Sequence, residues 1–124
     1  LATDKNKGIL ISAVDNMDTR EAMWNYAKES KDVKLFLDGR MGRLQAEIYT
    51  INPRNKRDVG IYNKRIGPKI KPEGLKCTEK AIIYNVVFIA SMICSQLKLA
   101  LEGKIYKPYI NADLENTRIV TVDR

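Results

Sequence analysis

Apolar residues run along this chain in short blocks divided by polar clusters, and the blocks differ in period. Residues 8–14 (GILISAV) are almost continuously apolar, between Lys7 and the Asp15-Asn16 pair. A run of that length predicts a strand covered on both faces. From Met17 onward, Ala22, Met23, Tyr26 and Ala27 recur at helical spacing, and Asp18 or Thr19 is placed to cap the start. Residues 33–37 (VKLFL) predict a second strand, broken by the glycines of Asp38-Gly39-Arg40-Met41-Gly42. In 44–51 (LQAEIYTI) apolar and polar positions alternate, which predicts a strand with one wet face. Strand, helix and strand in that order predict a right-handed crossover in a parallel sheet. The short glycine-spaced link that follows predicts an antiparallel neighbour.

Residues 52–76 carry Pro53, Pro68 and Pro72 with Gly60, Gly67 and Gly74, and show no clear periodicity beyond a brief strand at Ile61-Tyr62. A connection that long inside a compact domain points to function or mobility. Residues 78–101 form the longest regular block, with Thr78 as N-cap, Lys98 in the last turns and Gly103 as the stop. Its middle, 81–94, is apolar nearly all round and predicts a central helix buried on most sides. Asn85, Ser91, Ser95, Gln96 and Lys98 interrupt the run, so no membrane span is expected. The segment Arg118–Val122 (RIVTV) predicts a last edge strand. The expected class is α/β, with a mixed sheet of parallel and antiparallel strands and one long buried helix.

Composition narrows the picture. A chain of 124 residues suits one domain, and 44% hydrophobic with 30% charged residues suits a packed core. The net charge of +7 is local: nine lysines and arginines lie between Arg54 and Lys80, opposed by Asp58, Glu73 and Glu79. Such a cluster fits a phosphate chain, nucleic acid or an acidic protein surface, or is simply a solvated loop. With no histidine, Ser-His-Asp and Cys-His catalysis and His-ligated metals are excluded for this chain. Cys77 and Cys94 give neither a disulfide framework nor metal spacing, and Cys94, in mid-helix, is expected to pack. Met23, Trp24 and Tyr26 are expected against the sheet or a dimer partner. No secretion signal opens the sequence, so a cytoplasmic location is expected. The start at Leu1, without methionine, reads as a cut from a longer protein.

The sharpest candidate chemistry lies where the first strand ends on Asp15-Asn16 and a helix follows at once. Open α/β sheets bind ligands at the C-terminal ends of strands. Asp15 there is placed to hold a magnesium ion that bridges phosphates, and Asn16 to donate to a ribose or phosphate oxygen. Arg20, one turn into the helix, is placed to close the site or to pair with Asp15. The plainer reading makes Asp15 and Asn16 a local turn and Asp18 a helix cap.

The string Ala13-Val14-Asp15-Asn16-Met17-Asp18-Thr19-Arg20 resembles the A-[LV]-D-N-x-[DE]-x-R stretch of ubiquitin-activating enzymes and their ThiF, MoeB and HesA relatives. Residues 33–51 are similar to that family's next block, and Leu75-Lys76-Cys77-Thr78 to its P-x-C-T crossover segment. The resemblance covers residues 8 to about 102 and implies that 1–124 is one partial domain, the C-terminal half of a Rossmann-like ThiF-type fold, with 52–76 as the crossover loop. It implies an enzyme that uses Mg-ATP to adenylate the C-terminal carboxylate of a ubiquitin-like or sulfur-carrier protein. Asp15, with Asn16 and Arg20, would then face Mg-ATP, Asp15 as the metal ligand. Cys77, between Lys76 and Lys80 at a helix start, would accept the acyl group as a thiol. The resemblance also implies a homodimer; neither a membrane nor nucleic acid is expected among the partners. The sequence departs from the family where Leu75 replaces a proline, and no Gly-rich phosphate loop, zinc-binding C-x-x-C or ribose-binding acid precedes Asp15. The chain alone is therefore expected to be inactive. Two other readings stay open: a non-catalytic α/β binding module whose basic loop takes acidic protein or nucleic acid, and a dinucleotide-binding protein of another class.

Overall fold

The computed structural model describes residues 8–14, 16–41, 45–66 and 83–123. Their elements follow in the order β1 (Ile9–Ser12), α1 (Met17–Glu29), β2 (Leu35–Met41), β3 (Ala46–Ile51), α2 (Lys56–Ile66), α3 (Ile83–Leu101), β4 (Tyr109–Asp113) and β5 (Arg118–Val122). The strands make one sheet in the order β1-β2-β3-β4-β5. β1 runs parallel to β2, and every later pair is antiparallel. The α/β class, the parallel first pair and the antiparallel third strand agree with the sequence reading.

Alternation along β2 separates two layers of packing. Phe36 faces one side and joins Trp24 and Ala27 of α1, Tyr62 of α2, and Tyr49, Ile51 and Tyr109 of the sheet. Leu35 and Leu37 face the other side, against Ile93, Leu97 and Ala100 of α3. Helices thus cover both faces: α1 and α2 on one, α3 on the other.

Several sequence expectations are corrected. β1 is not covered on both faces: only Ser12 is buried, and Ile11 is 43% exposed. β2 does not end before Asp38 but runs through Gly39 to Met41. A Cβ on Gly39 would lie 2.6 Å from Ile89 Cγ2 and 3.0 Å from Ile93 Cδ1, so the glycine lets α3 lie close on the strand. β3 has no wet face, because helices pack on both of its sides and all its residues but Glu47 are buried. The expected loop at 52–76 contains α2, so Ile61 and Tyr62 are helical. Asn55 starts that helix: its side-chain oxygen accepts from the backbone N–H of Arg57 and Asp58. β4 was missed by the sequence reading, whereas β5 was foreseen.

The largest correction concerns α3. Length and composition alone would let it cross a membrane. It instead packs on β2 and β3 along one side, and only Asn85 and Gln96 are buried. The long helix is therefore not buried on most sides, and Cys94 is exposed rather than a packing residue. Its end matches expectation: Gly103 takes φ +71° and its N–H meets the Ala100 carbonyl at 3.1 Å, while Lys104 N–H meets that of Leu99 at 2.8 Å. Thr78 lies outside the described residues.

Candidate functional site

The C-terminal ends of β1 and β2 lie side by side because the two strands are parallel, with Ser12 opposite Asp38. α1 leaves from the end of β1 at once. Asn16 is its N-cap, its side-chain oxygen 2.7 Å from the Thr19 N–H. The cap is thus Asn16, not Asp18 or Thr19, and its oxygen is committed to the helix start.

One turn later Arg20 points back under the strand ends. Its Nε donates to Asp38 at 3.0 Å, one terminal nitrogen to the Val14 carbonyl at 2.7 Å, and the other to the Met17 sulfur at 2.9 Å. Arg20 therefore ties α1 to the end of β1 and to β2 at once. Asp38, fully buried, accepts three bonds from the described residues: besides Arg20, Arg40 Nε comes at 2.8 Å and the Tyr62 hydroxyl at 2.6 Å. Charge-assisted bonds of this kind balance the cost of burying the carboxylate.

The network continues across the sheet. Arg40 lies over the rings of Tyr49 and Tyr62, and it donates to the Arg65 carbonyl at 3.1 Å. Its second terminal nitrogen has no partner among the described residues. Glu47, opposite Arg40 in register, accepts from the hydroxyls of Tyr49 and Tyr109 at 3.1 and 2.6 Å. Arg65 lies over the Tyr109 ring, 4.2 Å from its centre.

This environment moves the proton affinities. Burial would lower that of Arg40, but Asp38, with Tyr49 and Tyr62 beside it, outweighs burial and raises it. Burial raises the phenols of Tyr49 and Tyr62, and the carboxylates of Glu47 and Asp38 push each further. All three groups keep their protons at neutral pH, so the cluster is a fixed array rather than an acid–base pair.

No protein-family model and no curated protein matches the chain.

Of the site residues expected from sequence, Arg20 and Asn16 are placed at the β1–α1 junction. Asp15 and Cys77 lie outside the described residues. Among the described residues no group of acidic or sulfur side chains is arranged to hold a metal. Asp38 is surrounded by donors and does not fit a magnesium ligand. Sequence reasoning missed Asp38, Arg40, Glu47, Tyr49, Tyr62 and Tyr109. One signal was available: Asp38 and Arg40 share a face with Phe36 in a strand-length run. The basic segment is also partly structural, since Arg54 donates at 2.6 Å to the carbonyls of both Ala27 and Ser30 at the end of α1.

Proposed function

We propose that the chain is the second half of a ThiF-type adenylyltransferase domain, which activates the C-terminal carboxylate of a ubiquitin-like or sulfur-carrier protein with ATP. The observation that carries this reading is the β1–α1–β2 unit with its strand ends brought together by Arg20. Ligands of open α/β sheets lie at such ends. The order parallel pair, antiparallel strand and long helix also follows the order of blocks on which the resemblance rests.

In this reading Arg20, fixed by Asp38 and the Val14 carbonyl, anchors the end of β1 and the start of α1. Asp15 would hold the magnesium, which supplies charge neutralisation on the phosphates. Arg40, with a donor to spare beside Asp38, adds positive potential at the end of β2. Cys77 remains the proposed thiol acceptor. A glycine-rich loop from outside the chain would cradle the phosphates.

A binding module without catalysis is the second reading, favoured by one observation: Asn16, Arg20 and Asp38 are all engaged in bonds that hold the fold. ATP–pyrophosphate exchange driven by a carrier protein separates the two. The complete protein should exchange, Asp15→Ala should abolish exchange, and Cys77→Ser should spare it while blocking a thiol adduct. Exchange that survives Asp15→Ala would remove Asp15 from the site. Salt-sensitive binding of an acidic partner with no nucleotide effect would favour the module.

A further inference from the structure

The last strand of the sheet is its least protected. β5 pairs with β4 from Asp113↔Arg118 to Tyr109↔Val122, and among the described residues no strand lies on its other side. Every second residue of such an edge turns its N–H and C=O groups outward. Edges are usually blunted by an inward charge, a proline or a bulge. Residues 119–122 (IVTV) hold no charge, proline or glycine, and their register with β4 is unbroken. The strand is also pinned at both ends. At the hairpin, Asn116 donates from its backbone N–H and its side chain to Asp113 at 3.2 and 2.9 Å. At the far end Lys107, before β4, bonds Asp123, after β5. The edge is thus formed before anything pairs with it, and a partner need not order it.

The two faces beside this edge differ. Val122 packs on the aromatic cluster with Tyr109, its register partner, so alternation puts Val120 on the α1–α2 side and Ile119 on the α3 side. Both are open, Ile119 57% and Val120 61% exposed. On the α1–α2 side a basic row stands near them. Arg57, Ile61 and Lys64 share one flank of α2 by helical spacing, while Asn63 on the other flank bonds Trp24 of α1. α1 packs on β1, at the opposite end of the sheet, so the basic flank faces β5. Asp123 agrees with that placement: the Lys107 bond, and behind it the Arg57 charge, hold its carboxyl below the ordinary value.

Charge selects the occupant. Two-fold pairing of β5 with itself would set the α2 helices of both copies on the same face of the joined sheet, with Arg57 and Lys64 turned toward their equals. A strand that carries carboxylates on that face meets attraction instead. Its stems can lie on Val120 while its charges reach Arg57 and Lys64, and apolar side chains at the positions between can cover Ile119 on the other face.

We propose that the outer edge of β5 takes an extended acidic segment of another protein as a sixth strand, held by main-chain bonds along β5 and by the basic flank of α2. The inference rests on this edge and not on the enzymatic reading. The probe is a fluorescent peptide of alternating Glu and Val, titrated with the full chain and followed by anisotropy. It should bind, and Arg57→Glu with Lys64→Glu should weaken binding at least ~10-fold with the far-UV spectrum unchanged, because both side chains are exposed. N-methylation of the peptide at every second residue separates strand pairing from charge. In one phase it removes the donors of the ladder and should cost at least ~10-fold; in the other the methyl groups point away from β5 and binding stays. Equal binding in both phases, equal binding of an alternating Lys and Val peptide, or no loss on charge reversal would overturn the inference. So would a peptide that does not bind, or a dimer in sedimentation that Val120→Lys dissolves, which would give the edge to a second copy.

Discussion

Asp38 shows how much one buried carboxylate can organise. It is the meeting point of α1 through Arg20, of α2 through Tyr62, and of its own strand through Arg40. An ion left without partners in such a place is costly, and the two guanidiniums here are themselves nearly buried. Asp38→Ala should therefore lower stability by about 3–5 kcal/mol, the usual cost of breaking a buried pair from one side. Urea unfolding followed by far-UV circular dichroism measures it. A loss below about 1 kcal/mol would mean that water replaces the carboxylate, and that Arg20 is not held by it. The distinction bears on function, because the proposed site needs Arg20 fixed at the end of β1.

At the scale of elements, Gly39 controls how α3 sits on the sheet. Gly39→Ala puts a methyl group 2.6 Å from Ile89 Cγ2, and the neighbour is a side chain that can shift but not vanish. Overpacking of this kind typically costs ~1–3 kcal/mol. The variant should lose that much in urea, and Ile89→Ala in the same chain should restore part of it. No rescue would place the cost in the backbone instead. The same residue explains part of what the sequence concealed. Asp38-Gly39-Arg40 reads locally as a break, but its ladder to Tyr49, Ile48 and Glu47 of β3, the pair with Arg20 and the close approach of α3 make it a strand. The parallel β1–α1–β2 unit was legible because its apolar runs and helical period are strong over short windows. α2 was not, since Pro53 and Gly60 read as a loop and its two fully buried side chains are Asp58 and Tyr62. Of the site, Arg20 and Asn16 were legible from their place after an apolar strand. The Asp38 partner of Arg20 was not, because an ion pair across 18 residues leaves no local pattern. The burial of α3 was misread for a related reason: composition gives the apolarity of a helix but not the number of surfaces available to cover it.

At the scale of the molecule, one aromatic layer joins nearly every element on the α1–α2 side of the sheet. Trp24, Phe36 and Tyr62 pack edge-on or tilted with centres 4.6 to 5.3 Å apart, and Tyr49 links Tyr62 to Tyr109 at 5.0 Å on either side. The phenol oxygens of Tyr49 and Tyr109 reach Glu47, and that of Tyr62 reaches Asp38. Burial first, and those carboxylates next, hold the Tyr49 and Tyr62 phenols well above the ordinary value of 10.0. The sign of the pH effect follows. Below about pH 10 these tyrosines are protonated in both folded and unfolded chains, and their contribution to stability is complete. Above it the unfolded chain releases the protons while the folded one keeps them, so stability falls as pH rises toward the folded values. Each such tyrosine removes roughly 1.4 kcal/mol per pH unit, or on the order of 3 kcal/mol per unit for the pair. Against a typical total of about 5–15 kcal/mol, that carries the protein to unfolding within a few units of pH 10. Exposed pairs such as Lys98–Glu102 are worth little and do not set this slope. Urea midpoints measured from about pH 8 to 11 should therefore drop steeply only beyond pH 10, and tyrosinate absorbance should rise in two stages. The second stage, from the buried phenols, coincides with loss of the far-UV signal. Titration of every tyrosine in one step, with the fold intact, would show that the aromatic layer admits water and that its carboxylates are not sealed beneath it.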